Sequence, residues 1–133
     1  AASDVYKRQQ ISRTIGHNCP SSTMQLAVER VIDDTSDLSI YEANMNLLYD
    51  ALVDLGFEVV RPSGTFYIFP KALEEDANEF ARKAMEYDLF MVPSDSFGMP
   101  GYLRLSYCVE TEHLRKAIVR LRQFVTEVYG ERE

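Results

Sequence analysis

Two long segments of the chain repeat apolar residues at helical spacing. Between residues 38 and 55, apolar side chains recur at steps of four, three, four and three before Gly56, which predicts a helix that ends there. A similar stripe between residues 111 and 129 precedes Gly130 and predicts the last helix. The stripes consist of Tyr41, Met45, Leu48, Leu52 and Leu55 in the first helix, and Leu114, Ile118, Leu121, Val125 and Val128 in the second.

Two further helices are predicted from shorter patterns. An apolar stripe runs from Pro20 to Ile32, with serines in its first turn, until the polar stretch DDTSD interrupts it. Later in the chain, Asp76 and Glu79 form an acidic variant of the capping box ahead of an alanine-rich apolar stripe. A helix is therefore expected to begin at Asp76.

The other apolar runs are short and predict strands. Four of them are separated by turn or helical sequences, and the turn RPSG joins the first two as in a hairpin. The order α-α-β-β-α-β-β-α has strands too short and too interspersed for a doubly wound sheet. We therefore expect an α/β fold of the α+β type, in which helices cover a small, mostly antiparallel sheet. The four predicted strands are 57–60, 65–69, 89–92 and the segment GYLRLSYC.

The last predicted strand carries a charge in its middle. Arg104 shares one face with Tyr102, Ser106 and Cys108, whereas Leu103, Leu105, Tyr107 and Val109 form a face that is expected to be core. If the first face is covered, the guanidinium needs an anionic partner, either from the protein or from a ligand. A pairing with a nearby Asp or Glu, or simple exposure to solvent, is the structural alternative.

Composition narrows the functional classes. The 133 residues carry a net charge of −7 with interspersed charges, which argues against nucleic acid as the main partner. No apolar run reaches membrane-spanning length and no secretory signal is visible, so we expect a cytoplasmic protein without a membrane partner. Cys19 and Cys108 are too few and too far apart for a disulfide framework, and we expect reduced packing thiols. No spacing typical of metal ligands appears.

The first nine residues have an unusual character. AASDVYKRQ resembles the translation of a common transposon-based sequencing adapter. Residues 1–9 are therefore expected to be an artefact of assembly and to lie outside the fold, with the natural sequence continuing from about Gln10. An adapter there implies that a longer gene was interrupted, so the chain is expected to be the back part of a larger protein.

Several motifs in order carry a family resemblance. RPSGTFYIFPK, then a helix, then LFMVPSDSFGMPGYLRLSYCVE and a closing helix resemble the C-terminal part of class I/II aminotransferases. These are fold type I enzymes of the aspartate aminotransferase superfamily, which use pyridoxal phosphate. HNCPSSTMQ resembles the segment before their interdomain helix. The resemblance implies that residues 10–37 end the large domain and that residues 38–133 form the small domain with its leading helix.

The resemblance implies a role for Arg104 and for the rest of the protein. In that family the matching arginine binds the α-carboxylate of an amino acid or a 2-oxo acid, a task that suits a planar, permanently charged guanidinium. The resemblance implies that the complete enzyme, called the parent below, is a homodimer. It also implies that three groups lie upstream of this chain: the lysine that binds the cofactor, the acid that faces the nitrogen of its ring, and the site that binds its phosphate. No catalytic, cofactor-binding or metal-binding residue is therefore expected in this chain.

Other residues and functions stay open at this stage. Gly98 and Gly101 suit turns more than substrate contact, and Phe66 and Tyr67 suit core packing more than a pocket wall. Ser22 is expected to cap a helix, and His17 and His113 belong to no triad. The alternative functions are a carbon–sulfur lyase of the same fold and a non-enzymatic module with a ferredoxin-like sheet.

Overall fold

The computed structural model describes residues 2–16, 19–35 and 37–130, with side chains from residue 5 onward. The chain divides into two compact units, residues 1–36 and residues 37–133. Within the described ranges, none of the helices combines the length and the apolar character that a membrane crossing requires.

The first unit contains two helices, α1 (Ala2–Thr14) and α2 (Ser22–Val31). Helix α1 was not predicted, because its sequence has no apolar stripe that would signal a helix. Ser21 is the N-cap of α2, where its hydroxyl accepts a hydrogen bond from the Met24 N–H at 3.4 Å. Helix α2 buries none of its residues, so its apolar stripe is exposed on the surface of this unit.

The second unit combines three helices with a small sheet. The helices are α3 (Ser39–Asp54), α4 (Ala77–Ala84) and α5 (Thr111–Tyr129), and the strands are β1 (Tyr67–Ile68), β2 (Val92–Pro93) and β3 (Leu103–Ser106). The sheet is antiparallel with β3 in the centre, in the order β1-β3-β2. The predicted class, a small antiparallel sheet covered by helices, is confirmed.

The order of elements differs from the prediction at two points. Helix α1 precedes the predicted elements, and the predicted strand 57–60 is wrong, so the described order is α-α-α-β-α-β-β-α. In place of that strand there is a single antiparallel bridge between Val59 and Pro70, beside a hydrogen bond from the Lys71 N–H to the Glu58 carbonyl. Pro70 has no N–H to donate, so a regular ladder cannot continue through it.

The core of this unit lies between the sheet and the helices. Phe80 of α4 and Phe124 of α5 are fully buried, and their rings meet edge to face with centroids 5.1 Å apart. From α3, Leu48 and Leu52 join the same cluster, while Leu103 supplies the centre of the sheet. This packing anchors β3, the strand that carries Arg104, through the buried side chain of Leu103.

Candidate functional site

Arg104 lies in the central strand, β3, and pairs there with Val92 of β2. The face behind it packs inward, because Leu103 and Tyr107 are buried and Leu105 is half-buried. The predicted core face is therefore confirmed for these three residues, but Val109 lies beyond the strand and is exposed. The alternation of β3 thus holds Arg104 on the face opposite the core.

Two aromatic rings cover the guanidinium of Arg104. Its Cζ atom lies 4.6 Å from the ring centre of Tyr67, on β1, and 4.1 Å from the ring centre of Phe97. Both distances are well within the range of a cation–π interaction. No hydrogen bond or ion pair of the described residues engages the guanidinium, so its N–H donors remain available.

No carboxylate pairs with Arg104 among the residues that the structure describes. Two acidic residues in the segments before β3 are engaged elsewhere. Asp88 forms an ion pair with Arg120 at 3.3 Å, and Asp95 accepts a hydrogen bond from Asn78 at 3.4 Å. The proposed structural alternative, an internal ion pair, is therefore absent from the described part of the chain.

A cavity of about 530 Å³ adjoins Arg104. It lies between β3, the segment Asp88–Val92 and one side of α5, and most of its lining is apolar. Tyr67, Asp88, Arg104 and Ser106 contribute polar groups to it, and the Asp88 carboxylate is the one that forms an ion pair with Arg120. A mostly apolar cavity with a few convergent polar groups is the usual form of a small-molecule site, and Arg104 is the one cation among the described residues that line it.

The loop PSDSFGMP places Phe97 beside Arg104. Ser94 is fully buried and its N–H donates to the carbonyl of Tyr102 at 2.9 Å, which ties the loop to the start of β3. A 3-10 turn, Asp95–Phe97, follows and ends at Gly98, whose φ of 77° lies in the left-handed region. Glycine adopts that conformation without steric cost, so the loop turns immediately after Phe97.

Other residues singled out in the sequence include two glycines, two aromatic residues and a histidine. Gly98 and Gly101 both have positive φ, which supports their role as turn formers. The core-packing role expected for Phe66 and Tyr67 is wrong, since Phe66 is 44% exposed and Tyr67 covers Arg104. His113 is exposed and lies 3.6 Å from the Glu110 carboxylate.

Three further expectations concern the segment before α2 and the thiols. His17 and Asn18 lie outside the described residues. Ser22 is the first residue of α2, and the cap expected of it is supplied by Ser21 instead. Cys19 and Cys108 are free thiols as predicted, but both are exposed, so their expected packing role is wrong.

Sequence reasoning missed Asn44, the buried polar residue of α3. Its side chain is 1% exposed, and its amide N–H groups donate to the carbonyls of Tyr107 at 3.1 Å and Val109 at 2.7 Å. Its oxygen accepts a hydrogen bond from the Thr111 hydroxyl at 2.8 Å. Asn44 thus joins α3 to the link between β3 and α5, and a polar residue inside an apolar stripe was the available signal.

Perturbed ionisable groups in the described residues belong to surface pairs and caps. Hydrogen bonding to Arg82 lowers the pKa of Glu79. The hydrogen bond that the Tyr87 hydroxyl donates to the Glu127 carboxylate raises the pKa of Tyr87. At the start of α4, the Asp76 carboxylate accepts hydrogen bonds from the backbone of Asn78 and Glu79, which lowers its pKa.

The four lysines of the chain do not fit a cofactor-anchoring role. Lys7 is exposed on α1, Lys71 pairs with Glu58, and Lys116 is 67% exposed on α5. Lys83 pairs with Glu74 and lies over the Tyr129 ring. None of them lines the cavity beside Arg104, and no cluster of potential metal ligands occurs among the described residues.

Comparisons with known proteins show which family the chain resembles. Residues 4–121 match the model of the family "Aminotransferase class I and II". A probable N-acetyl-LL-diaminopimelate aminotransferase of Bacillus subtilis is 36% identical over 118 residues, which cover 81% of this chain and 30% of that protein. An aspartate aminotransferase of the same organism is 36% identical over 94 residues, or 64% of this chain and 24% of its own length.

Solved structures give the same result. A crystal structure of an amino transferase from Eubacterium rectale superimposes with a TM-score of 0.80 and 36% identity, covering 87% of this chain and 29% of that one. Aspartate aminotransferase from Thermus thermophilus with maleate gives a TM-score of 0.61 at 34% identity, over 64% of this chain and 23% of that one. The chain spans 23% to 30% of the length of these relatives. It belongs to the class I and II aminotransferase family.

Proposed function

We propose that this chain is the C-terminal part of a pyridoxal-phosphate-dependent aminotransferase and that Arg104 binds the α-carboxylate of its substrates. The observation that carries the proposal is the guanidinium of Arg104, which two aromatic rings cover and no described carboxylate pairs with. The family, whose relatives are aminotransferases, supports an amino acid and a 2-oxo acid as the substrates.

An arginine suits this task for geometric reasons. Its planar fork can donate two parallel hydrogen bonds to a carboxylate, and it stays protonated at any working pH. Holding both carboxylate oxygens fixes the orientation of the substrate Cα, which lowers the entropic cost of reaching the reactive geometry. In this role Arg104 orients the substrate and takes no part in bond making.

Pyridoxal phosphate would supply the electron sink of the reaction, and the groups that hold it are proposed to lie upstream of this chain. The exposed or paired state of the described lysines supports that division. The proposal includes a homodimeric, cytoplasmic parent that acts in amino-acid metabolism. The proposal also keeps the domain boundaries predicted from the sequence. Residues 1–9 are an artefact in it, and the small domain begins at residue 38.

The test uses the complete enzyme, obtained by recovering the gene around this segment. Arg104→Gln should lower kcat/KM for amino acids by at least about 100-fold, because truncating one partner of a desolvated charge pair costs roughly 3 to 5 kcal/mol. Cofactor binding, followed by absorbance, should stay nearly intact. Arg122→Gln is the matched control, since Arg122 is a surface residue of α5 that pairs with Asp54.

Two results would contradict the proposal. An unchanged kcat/KM in Arg104→Gln would return Arg104 to a structural role. Release of ammonia and a thiol from a sulfur amino acid, in place of amino transfer to 2-oxoglutarate, would identify the carbon–sulfur lyase instead.

A further inference from the structure

We propose that Phe97 is a positioning residue, whose ring holds the Arg104 guanidinium in the orientation that receives a carboxylate. This inference rests on the proposed function of Arg104 and goes beyond it by assigning a role to the loop before β3. It concerns a residue that would not contact the reacting atoms itself.

The exposure of Phe97 is the first argument. Its side chain remains 48% exposed, so burial in the described core does not explain its position. Phe97 is also absent from the hydrophobic core, which contains Phe57, Phe80 and Phe124. Its ring centre instead lies 4.1 Å from the Cζ atom of Arg104, closer than the ring of Tyr67.

The backbone of the loop is the second argument, because it fixes where Phe97 lies. The carbonyl of Ser94 accepts two hydrogen bonds, from the N–H groups of Phe97 at 3.0 Å and Met99 at 3.1 Å. Ser94 itself is fully buried and bonded to Tyr102, two residues before Arg104 in the same strand. Backbone hydrogen bonds therefore join the loop that carries the Phe97 ring to the strand that carries the Arg104 guanidinium.

The consequence for Arg104 follows from the freedom of its side chain. An unrestrained arginine loses side-chain rotamer entropy when a ligand fixes it. Contacts with two rings restrict the guanidinium before any ligand arrives, and no carboxylate of the described residues occupies its N–H groups. Preorganisation of this kind raises affinity for a carboxylate without adding a contact to it.

The experiment compares Phe97→Leu and Phe97→Tyr in the complete enzyme. Leucine keeps an apolar side chain but has no aromatic face, whereas tyrosine keeps the face. We expect Phe97→Leu to raise KM for the amino acid and the inhibition constant of propionate, a minimal carboxylate, by about 3- to 30-fold, the usual range of a cation–π contact. We expect kcat to change much less and Phe97→Tyr to restore both constants to within about twofold.

A double variant separates this proposal from the proposed function. If Phe97 acts through Arg104, Phe97→Leu should have no further effect in the Arg104→Gln background. A large loss in Arg104→Gln together with unchanged constants in Phe97→Leu would overturn the positioning role alone. An equal loss from Phe97→Leu in both backgrounds would also overturn it, because the residue would then act independently of the guanidinium. No effect of Arg104→Gln would contradict the proposed function itself.

Discussion

Replacement of Asn44 by alanine tests the polar connection on which the site's strand depends. Asn44 is buried in α3 and makes three hydrogen bonds, to the carbonyls of Tyr107 and Val109 and to the hydroxyl of Thr111. The change removes all three and leaves the buried carbonyl of Tyr107 without this donor. The packing of α3 against the link between β3 and α5 should weaken as a result.

The magnitude follows from the number and burial of these bonds. Each intramolecular hydrogen bond contributes about 1 kcal/mol net, and an abandoned buried partner adds a desolvation cost of about 1 to 3 kcal/mol. Val109 is 42% exposed, so water can replace the bond to its carbonyl and reduce that part of the loss. We therefore expect Asn44→Ala to lower the free energy of unfolding by about 2 to 4 kcal/mol.

Urea unfolding of the purified chain, followed by circular dichroism, measures this loss. Asn46→Ala is the matched control, because Asn46 lies in the same helix and accepts a hydrogen bond from the exposed Arg61. The control should change the free energy of unfolding by less than about 1 kcal/mol. Thr111→Val should cost about 1 kcal/mol and should be less harmful in the Asn44→Ala background, since both changes remove one shared bond.

Equal destabilisation by Asn44→Ala and Asn46→Ala would refute the reasoning. It would mean that the three buried hydrogen bonds add nothing beyond the loss of any polar side chain from this helix. Full additivity of Asn44→Ala and Thr111→Val would contradict the bond between these two residues.

Three further predictions concern the loop, a helix cap and the cofactor. Gly98→Ala should cost about 1 to 2 kcal/mol, because a side chain is disfavoured at its φ of 77°, whereas Gly64→Ala, with open space and no positive φ, should be nearly neutral in urea unfolding. Folding lowers the pKa of Asp76, so its contribution to stability is present above its ordinary pKa of 3.8 and declines as the pH falls below that value. The unfolding free energy of Asp76→Asn, measured over a pH series, should lack this decline. The same pH dependence in the variant and the original chain would contradict the prediction. The purified chain should neither transaminate nor form a stoichiometric, lysine-specific adduct with pyridoxal phosphate by absorbance, and an adduct abolished by changing one lysine would contradict the upstream location of the cofactor groups.

The long helices could be predicted because many residues share one signal. In α5, Leu114, Ile118, Leu121 and Val125 are buried as their spacing indicates, and the Asp76 cap of α4 is confirmed by its hydrogen bonds to the backbone. Strands of two to four residues are too short to show a repeated pattern, so they cannot be predicted in the same way. A short apolar run and the RPSG turn favoured a strand at 57–60, but the pairing of this segment depends on Pro70, which lies beyond that turn.

The site was predictable in part. Arg104 stood out because a charge interrupts an apolar strand, and the structure holds it on the face opposite the core. Its aromatic neighbours come from β1 and from a loop, so no local periodicity connects them to it. Phe97 in particular follows from the 3-10 turn and from Gly98, which act through backbone geometry that a hydrophobic pattern does not encode.

A crystal structure of the complete enzyme with a bound 2-oxo acid tests the central claim most directly. We expect two N–H groups of Arg104 at about 2.7 to 2.9 Å from the two carboxylate oxygens, with the Tyr67 and Phe97 rings still against the guanidinium. A carboxylate bound to another cation, with Arg104 facing solvent or paired with an upstream acid, would contradict it.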